Sequence, residues 1–153
     1  MRNKAGRTMG SVVEVCISEN KGEVKTPVPS ITLRENYGAE GDAHADSSWH
    51  RQVSLLAMES IDKMQGKGLV LKPGDFAENI TTRDIDLCAI PIGTKMKVGE
   101  ALLEMTQLGK ECHAGCAIRD LVGDCIMPRE GIFAKVLEGG TVKAGDSIEV
   151  LKG

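Results

Sequence analysis

The chain has 153 residues, 41% of them hydrophobic, which suits one compact domain with its own core and leaves little room for a second. A net charge of −3 and only 3% aromatic residues give no electrostatic case for nucleic acid or an anionic membrane, and few rings on which bases could stack. No apolar run approaches the roughly 18 residues of a membrane-spanning helix.

Residues 1–9 are basic but lack the apolar stretch of a secretory signal, so they read as a disordered leader, with Met9 as an alternative start. Cytoplasmic location follows by default. Five cysteines, an odd number, then point to reduced thiols rather than a disulfide framework. A single domain is expected over residues 10–152.

Val12 to Ile17 reads as the first strand. Pro27 and Pro29 flank an edge-like segment, because proline cannot donate to a central ladder. Gln52 to Leu56 reads as a strand that runs into a helix near Ala57 to Met64, ended by Gly66 and Gly68. Four Gly-Asp pairs, starting at Gly41, Gly74, Gly123 and Gly145, mark turns in which glycine supplies positive φ and aspartate caps. Ala101 to Leu108 is a further strand. Two stretches, Gly93 to Glu104 and Gly140 to Glu149, share a Gly-Thr start, a lysine-containing strand and a Gly-acid turn, and both read as hairpins. Ile132 to Leu137 is too short to separate helix from strand. Many turns between short apolar runs predict a mainly β fold.

The reactive side chains are concentrated. Cys112, Cys116 and Cys125 fall close together with His113, flanked by Lys110 and Arg119. Cys112 follows a strand and enters a Gly-containing loop, where reactive groups are usually displayed. Neighbouring cations favour thiolate over thiol, although Glu111 opposes them. Such a thiolate could be a nucleophile, a persulfide carrier or a soft-metal ligand. Zinc is disfavoured: the pair is C-x3-C rather than C-x2-C, and adjacent Cys112 and His113 are badly placed to share an ion. For Cys16, Cys88 and Cys125 a buried structural role is the better reading, since free cysteine is among the most buried residue types. Cys116 reads either as a resolving thiol or as packed. No phosphate-binding G-x-x-x-x-G-K-[ST] loop and no G-x-S-x-G elbow is present.

Four blocks in order resemble the MOSC family, the domain also found at the C-terminus of molybdenum cofactor sulfurases. They are Tyr37 to Asp46 with its Gly-Asp, His50 to Leu56, Pro73 to Thr82 with Glu78-Asn79, and Thr106 to Cys112. The tail from Gly123 to Phe133 and the closing Gly-Thr-Val-Lys-Ala-Gly-Asp are similar to small stand-alone bacterial members. The resemblance implies a β-barrel with a few short peripheral helices. It implies that Cys112 is the family cysteine, which ligates molybdenum of the pterin cofactor or carries sulfur.

On that resemblance His50 is a candidate contact to phosphate or pterin, while a lone histidine is otherwise a surface or satisfied core residue. Glu78 and Asn79 could meet a pterin edge, with a structural role in their turn slightly favoured. His44 reads as a loop residue and Asp42 as a turn former. Lys110, Arg119, Arg129 and Arg83 are candidates for phosphate recognition, because guanidinium suits bidentate anion binding, although any one of them could be an ordinary surface charge. Cofactor sulfurases carry an additional pyridoxal-phosphate domain for which this chain is too short. A sulfur-carrying role therefore implies a separate cysteine desulfurase, and delivery implies a molybdoenzyme or a cofactor-biosynthesis partner. The alternative is a non-enzymatic module that docks such a partner and uses its cysteines structurally. Two departures stand out. His50 runs straight into Arg51-Gln52-Val53 where many relatives have Gly-Gly-Pro. The extra N-terminal barrel domain of the amidoxime-reducing relatives has no counterpart in these residues.

Overall fold

The computed structural model describes residues 9–20, 24–65, 71–109 and 131–151. Eleven strands are present among them: β1 (Met9–Ile17), β2 (Thr26–Val28), β3 (Ile31–Arg34), β4 (Gly38–Ala39), β5 (Val53–Ala57), β6 (Ile80–Arg83), β7 (Lys95–Val98), β8 (Ala101–Leu108), β9 (Ile132–Glu138), β10 (Gly140–Val142) and β11 (Ser147–Val150). One α-helix, α1 (Met58–Gln65), follows β5, and a single 3-10 turn spans Leu87–Ala89.

The main sheet runs β11-β7-β8-β9-β5-β6-β1, and β11 pairs back onto β1. Seven strands thereby close a barrel, which removes exposed strand edges. β2 adds outside β1 through Val15, Cys16 and Ile17, so the proline-flanked segment does lie at an edge. β10, β3 and β4 form a second, three-stranded sheet.

Alternation along the strands builds the core. In β7 Met96 and Val98 point inward, and in β8 Ala101, Leu103 and Met105 do so, with polar or half-buried residues between them. β5 differs, because all five of its residues are buried. Val53 and Leu55 face the barrel interior, whereas Leu56 packs outward with Ile61 of α1, Phe76 and Phe133. The helix also explains the chain's direction: β5 and β6 are parallel, and a parallel neighbour needs a crossover rather than a tight turn.

Three Gly-Asp pairs lie in the described residues, and all behave as turn devices. Gly41, Gly74 and Gly145 have φ of 82°, 93° and 92°. Asp75 accepts from the Lys72 amide and Asp146 from the Lys143 amide. At Gly74 a Cβ would stand 2.2 Å from the Lys25 carbonyl oxygen, so only glycine fits.

Two expectations need correction. β7 and β8 form the first hairpin, paired from Lys95–Glu104 to Val98–Ala101. The similar second stretch does not close on itself: β10 pairs with β3, while β11 pairs with β7 and β1. A three-residue strand has too few ladder bonds to hold a hairpin against two larger partners. Cys88 is exposed, not buried, because Leu87 takes the inward position of the 3-10 turn. Cys16 is buried as expected. The undecided stretch after Gly131 is strand β9, held between β8 and β5.

Candidate functional site

Inside the frame, Lys25 and Asp42 anchor a buried polar network. Lys25 and Asp42 both have fully buried side chains and meet at 2.7 Å. The Lys25 ammonium also reaches Ser18 Oγ and His44 Nδ1, each at 3.0 Å. Asp42 accepts the amides of Ser18 and His44. Burial pushes the Asp42 carboxyl up, but the Lys25 charge and these hydrogen bonds outweigh it and hold the group below its ordinary range. His44 and Asp42 are thus parts of a turn network.

Asn79 is a staple. Its Oδ1 accepts the Ser54 amide at 3.0 Å, and its side-chain amide donates to the Cys16 carbonyl at 3.1 Å. It therefore ties β5 to β1 from the start of β6. Glu78 is fully buried; one carboxyl oxygen accepts from the Gly74 amide and from Thr81 Oγ1, and the other has no partner among the described residues. Burial pushes this carboxyl up against those stabilising bonds. The Cys16 thiol is likewise driven upward, first by burial and then by the charge of Glu78, so it is a poor nucleophile.

A different arrangement exists where β8 meets β9. The register slips between Met105 and Gln107, which leaves Thr106 as a bulge. Bulges re-aim side chains. Here Thr106 Oγ1 donates to the His50 carbonyl at 2.9 Å, and Gln107 turns to the His50 ring, with Oε1 2.8 Å from Nε2. The Gln107 amide nitrogen donates to the Gly109 carbonyl at 2.6 Å, so Oε1 is the atom left to face the ring. His50 Nε2 must then carry a proton, and Nδ1 holds the free lone pair of the neutral ring. Gly109 donates its amide to the Gly131 carbonyl at 2.7 Å. Gly109 and Gly131 are thus held together close to the Gln107–His50 pair.

Trp49, His50 and Arg51 crowd this end. The Trp49 and His50 rings meet edge to face at 5.4 Å between centroids. The Arg51 guanidinium lies over the Trp49 ring at 3.7 Å and is 5.4 Å from the Phe133 centroid. Its Nε is buried with no hydrogen-bond partner among the described residues. Burial pulls the Arg51 guanidinium below its ordinary value. Trp49 and Leu108 remain about half exposed. A guanidinium with unused donors, an imidazole and an open indole suit an anionic, ring-bearing ligand. An open concavity of about 630 Å³ lies elsewhere, beside Tyr37, and its arginine, Arg34, is already paired with Glu40 at 3.1 Å.

Among the candidates from sequence, His50 lies at this end. Glu78 and Asn79 lie inside the frame. Arg83 is at the far end of β6, because β5 and β6 run parallel with Leu55 beside Ile80 and Ala57 beside Thr82. Lys110, Cys112, His113, Cys116, Arg119, Cys125 and Arg129 lie outside the described residues. The sequence reading missed three contributors: Arg51, Trp49 and Gln107. The signal for Arg51 was present in the departure from Gly-Gly-Pro, which sets a guanidinium directly after the family histidine. Among the described residues no cluster of three or more histidine, cysteine or acidic side chains could hold a metal ion, and no helix is long and apolar enough to cross a membrane.

Solved structures share the architecture. The YuaD protein of Bacillus subtilis aligns with a TM-score of 0.75 at 19% identity, over 93% of this chain and 95% of that one. YiiM of Geobacillus stearothermophilus aligns at 0.71 and 19% identity, over 94% and 75%. YiiM of Escherichia coli aligns at 0.67 and 20%, over 95% and 70%. These likenesses establish the fold. No curated protein sequence matches the chain. The family model of the MOSC domain matches residues 38–149, from the Gly38 strand through the closing strand of the barrel, and the chain belongs to the MOSC domain family.

Proposed function

We propose that the protein binds molybdenum cofactor, or carries sulfur destined for it, through Cys112 at the end of the barrel where β8 meets β9. Membership of the family connects the chain with molybdenum-cofactor biology at the family level. The observation that carries the reading further is the Gly109–Gly131 hydrogen bond beside the His50–Gln107 pair. Cys112 follows Gly109 by three residues in the sequence. His50 and the nearby cations would then face the same ligand as the thiol.

In this reading Cys112 is the reacting or metal-ligating group, and Cys116 is its assistant. Lys110, Arg119 and Arg129 help to neutralise a phosphate. Glu78 and Asn79 act through the frame rather than by touching the ligand. A bound cofactor would supply the molybdenum chemistry. The sulfur-carrying version needs a desulfurase persulfide as donor. The Cys112 thiolate attacks the outer sulfur, the new S–S bond forms as the donor's breaks, and the desulfurase cysteine leaves as thiolate.

Intact-mass measurement after incubation with a cysteine desulfurase and cysteine tests the carrier version, with Cys112→Ser as the comparison. One added sulfur in the wild type and none in the variant is expected. Molybdenum and pterin analysis of protein from a cofactor-producing host tests the binding version. If the wild type gains no sulfur and retains no cofactor, the reading falls. The exposed Trp49 and Leu108 favour a second reading, a module that docks a molybdoenzyme or biosynthetic partner. Capture of that partner by Cys112→Ser as well as by the wild type, without sulfur or cofactor on either, would favour it.

A further inference from the structure

Arg51 is placed as arginines seldom are. It makes no hydrogen bond or ion pair among the described residues, and its Nε is buried without a partner. An arginine carries five N–H donors and no acceptor, and burying one of them without an acceptor is costly. Its Cζ lies over the Trp49 ring, 3.7 Å from the centroid, with the Phe133 centroid at 5.4 Å. Stacking leaves the in-plane N–H groups free to point at a ligand, so the fork is pre-organised. The adjacent His50 is anchored through Nε2 to Gln107. Among the described residues its Nδ1 has no partner. The contrast is Arg34, whose guanidinium is spent on Glu40.

We propose that Arg51, clamped on Trp49 and supported by His50, forms a binding site for a tetrahedral oxyanion, either a phosphate monoester or a free inorganic oxyanion. Bidentate N–H···O bonds from one guanidinium match two oxygens of such a group. The site is built entirely of described residues and does not require Cys112 to react. Only the identity of a phosphate-bearing ligand rests on the cofactor reading above.

The chain contains one tryptophan, and it is Trp49, so its emission reports directly on this site. The full chain is titrated with inorganic phosphate, molybdate, and a simple sugar phosphate monoester, with calorimetry as a second readout. Saturable binding is expected, weakened about tenfold or more in Arg51→Gln and partly in Arg51→Lys, as loss of charge-assisted bonds implies. Arg34→Gln removes the same charge elsewhere and should bind as the wild type does. Tighter binding of the monoester assigns the site to an organic phosphate, and tighter binding of the free oxyanions assigns it to an inorganic species. Two results overturn the proposal: no saturable binding by the wild type, or equal weakening in Arg34→Gln and Arg51→Gln. Unfolding midpoints of both variants exclude a trivial loss of fold. Sulfur loading of the wild type is a separate readout, so a failed Cys112 reading leaves Arg51-dependent anion binding intact, and the converse holds.

Discussion

Two polar regions of this barrel look alike in composition and differ in bookkeeping. The inner one contains Lys25, Asp42, Asn79 and Glu78, and the outer one contains His50, Arg51 and Gln107. Inside, the Lys25 ammonium has three acceptors and the Asn79 amide is bonded to two strands. Outside, Arg51 Nε has none among the described residues, and His50 bonds through one ring nitrogen there. Buried polar groups that answer one another define a fold, whereas unanswered donors at an open end invite a ligand. The family blocks around Asp42 and Glu78-Asn79 therefore hold the barrel in shape, while the block from His50 to Leu56 is half-buried only at its start, His50 and Arg51, and buried along β5.

The sharpest way to break this division is Asp42→Ala. It strands a fully buried ammonium, and a loss of about 3–5 kcal/mol is expected from chemical denaturation. A loss under about 1 kcal/mol, the range of exposed pairs, would place the pair in solvent and erase the distinction. The same group has a pH signature. Its carboxyl is held below the ordinary 3.8, so the stability it contributes is present above that value and disappears as pH falls through its lower folded-state value. Acid unfolding should therefore be less steep in Asp42→Ala.

Asn79→Ala comes next. It orphans the Ser54 amide and the Cys16 carbonyl, each costing about 1–3 kcal/mol when buried. Unfolding midpoints check this, and a neutral result would mean that β1 and β5 do not depend on the staple. Glu78→Gln sharpens the comparison in the opposite direction. The Glu78 carboxyl is pushed above its ordinary 4.5, so its protonated form stabilises the fold at acid pH, and stability is lost as pH rises past 4.5. A glutamine oxygen can accept from Gly74 and Thr81 without that penalty. The variant should show a flatter stability profile above pH 4.5, and identical profiles for both proteins would mean that Glu78 ionises freely in the fold. Arg51→Gln should have the smallest effect on stability, about 1 kcal/mol or less for a partly exposed cation–π contact. A large loss of stability there would turn Arg51 into another piece of the frame.

Much of the barrel was legible in advance. Val12–Ile17, the β5-to-α1 transition, Ala101–Leu108 and the β7–β8 hairpin were read from alternation, turn residues and helix stops, all of which act over a few residues. The second Gly-Thr stretch was misread as a hairpin because its partner choice depends on β3 and β7, which lie far away in sequence. β9 was undecided for the same reason: six apolar-leaning residues become a strand only once β8 and β5 flank them. The site was legible at His50 and in the choice of residues, and it was not legible at Arg51, Trp49 and Gln107. Their significance rests on a bulge at Thr106 and on which donors find no partner, and local pattern encodes neither.

Sequence alone was sufficient for the class of fold, the family, and the glycine and aspartate positions that turn the chain, because steric limits on φ and side-chain capping are local properties. Closure of the barrel by β11 on β1, the burial of Lys25 against Asp42, and the Arg51 guanidinium over Trp49 beside His50 emerged only from the folded chain. Each depends on which distant groups arrive within 3 or 4 Å of one another, a scale at which hydrogen bonds and ion pairs form or fail.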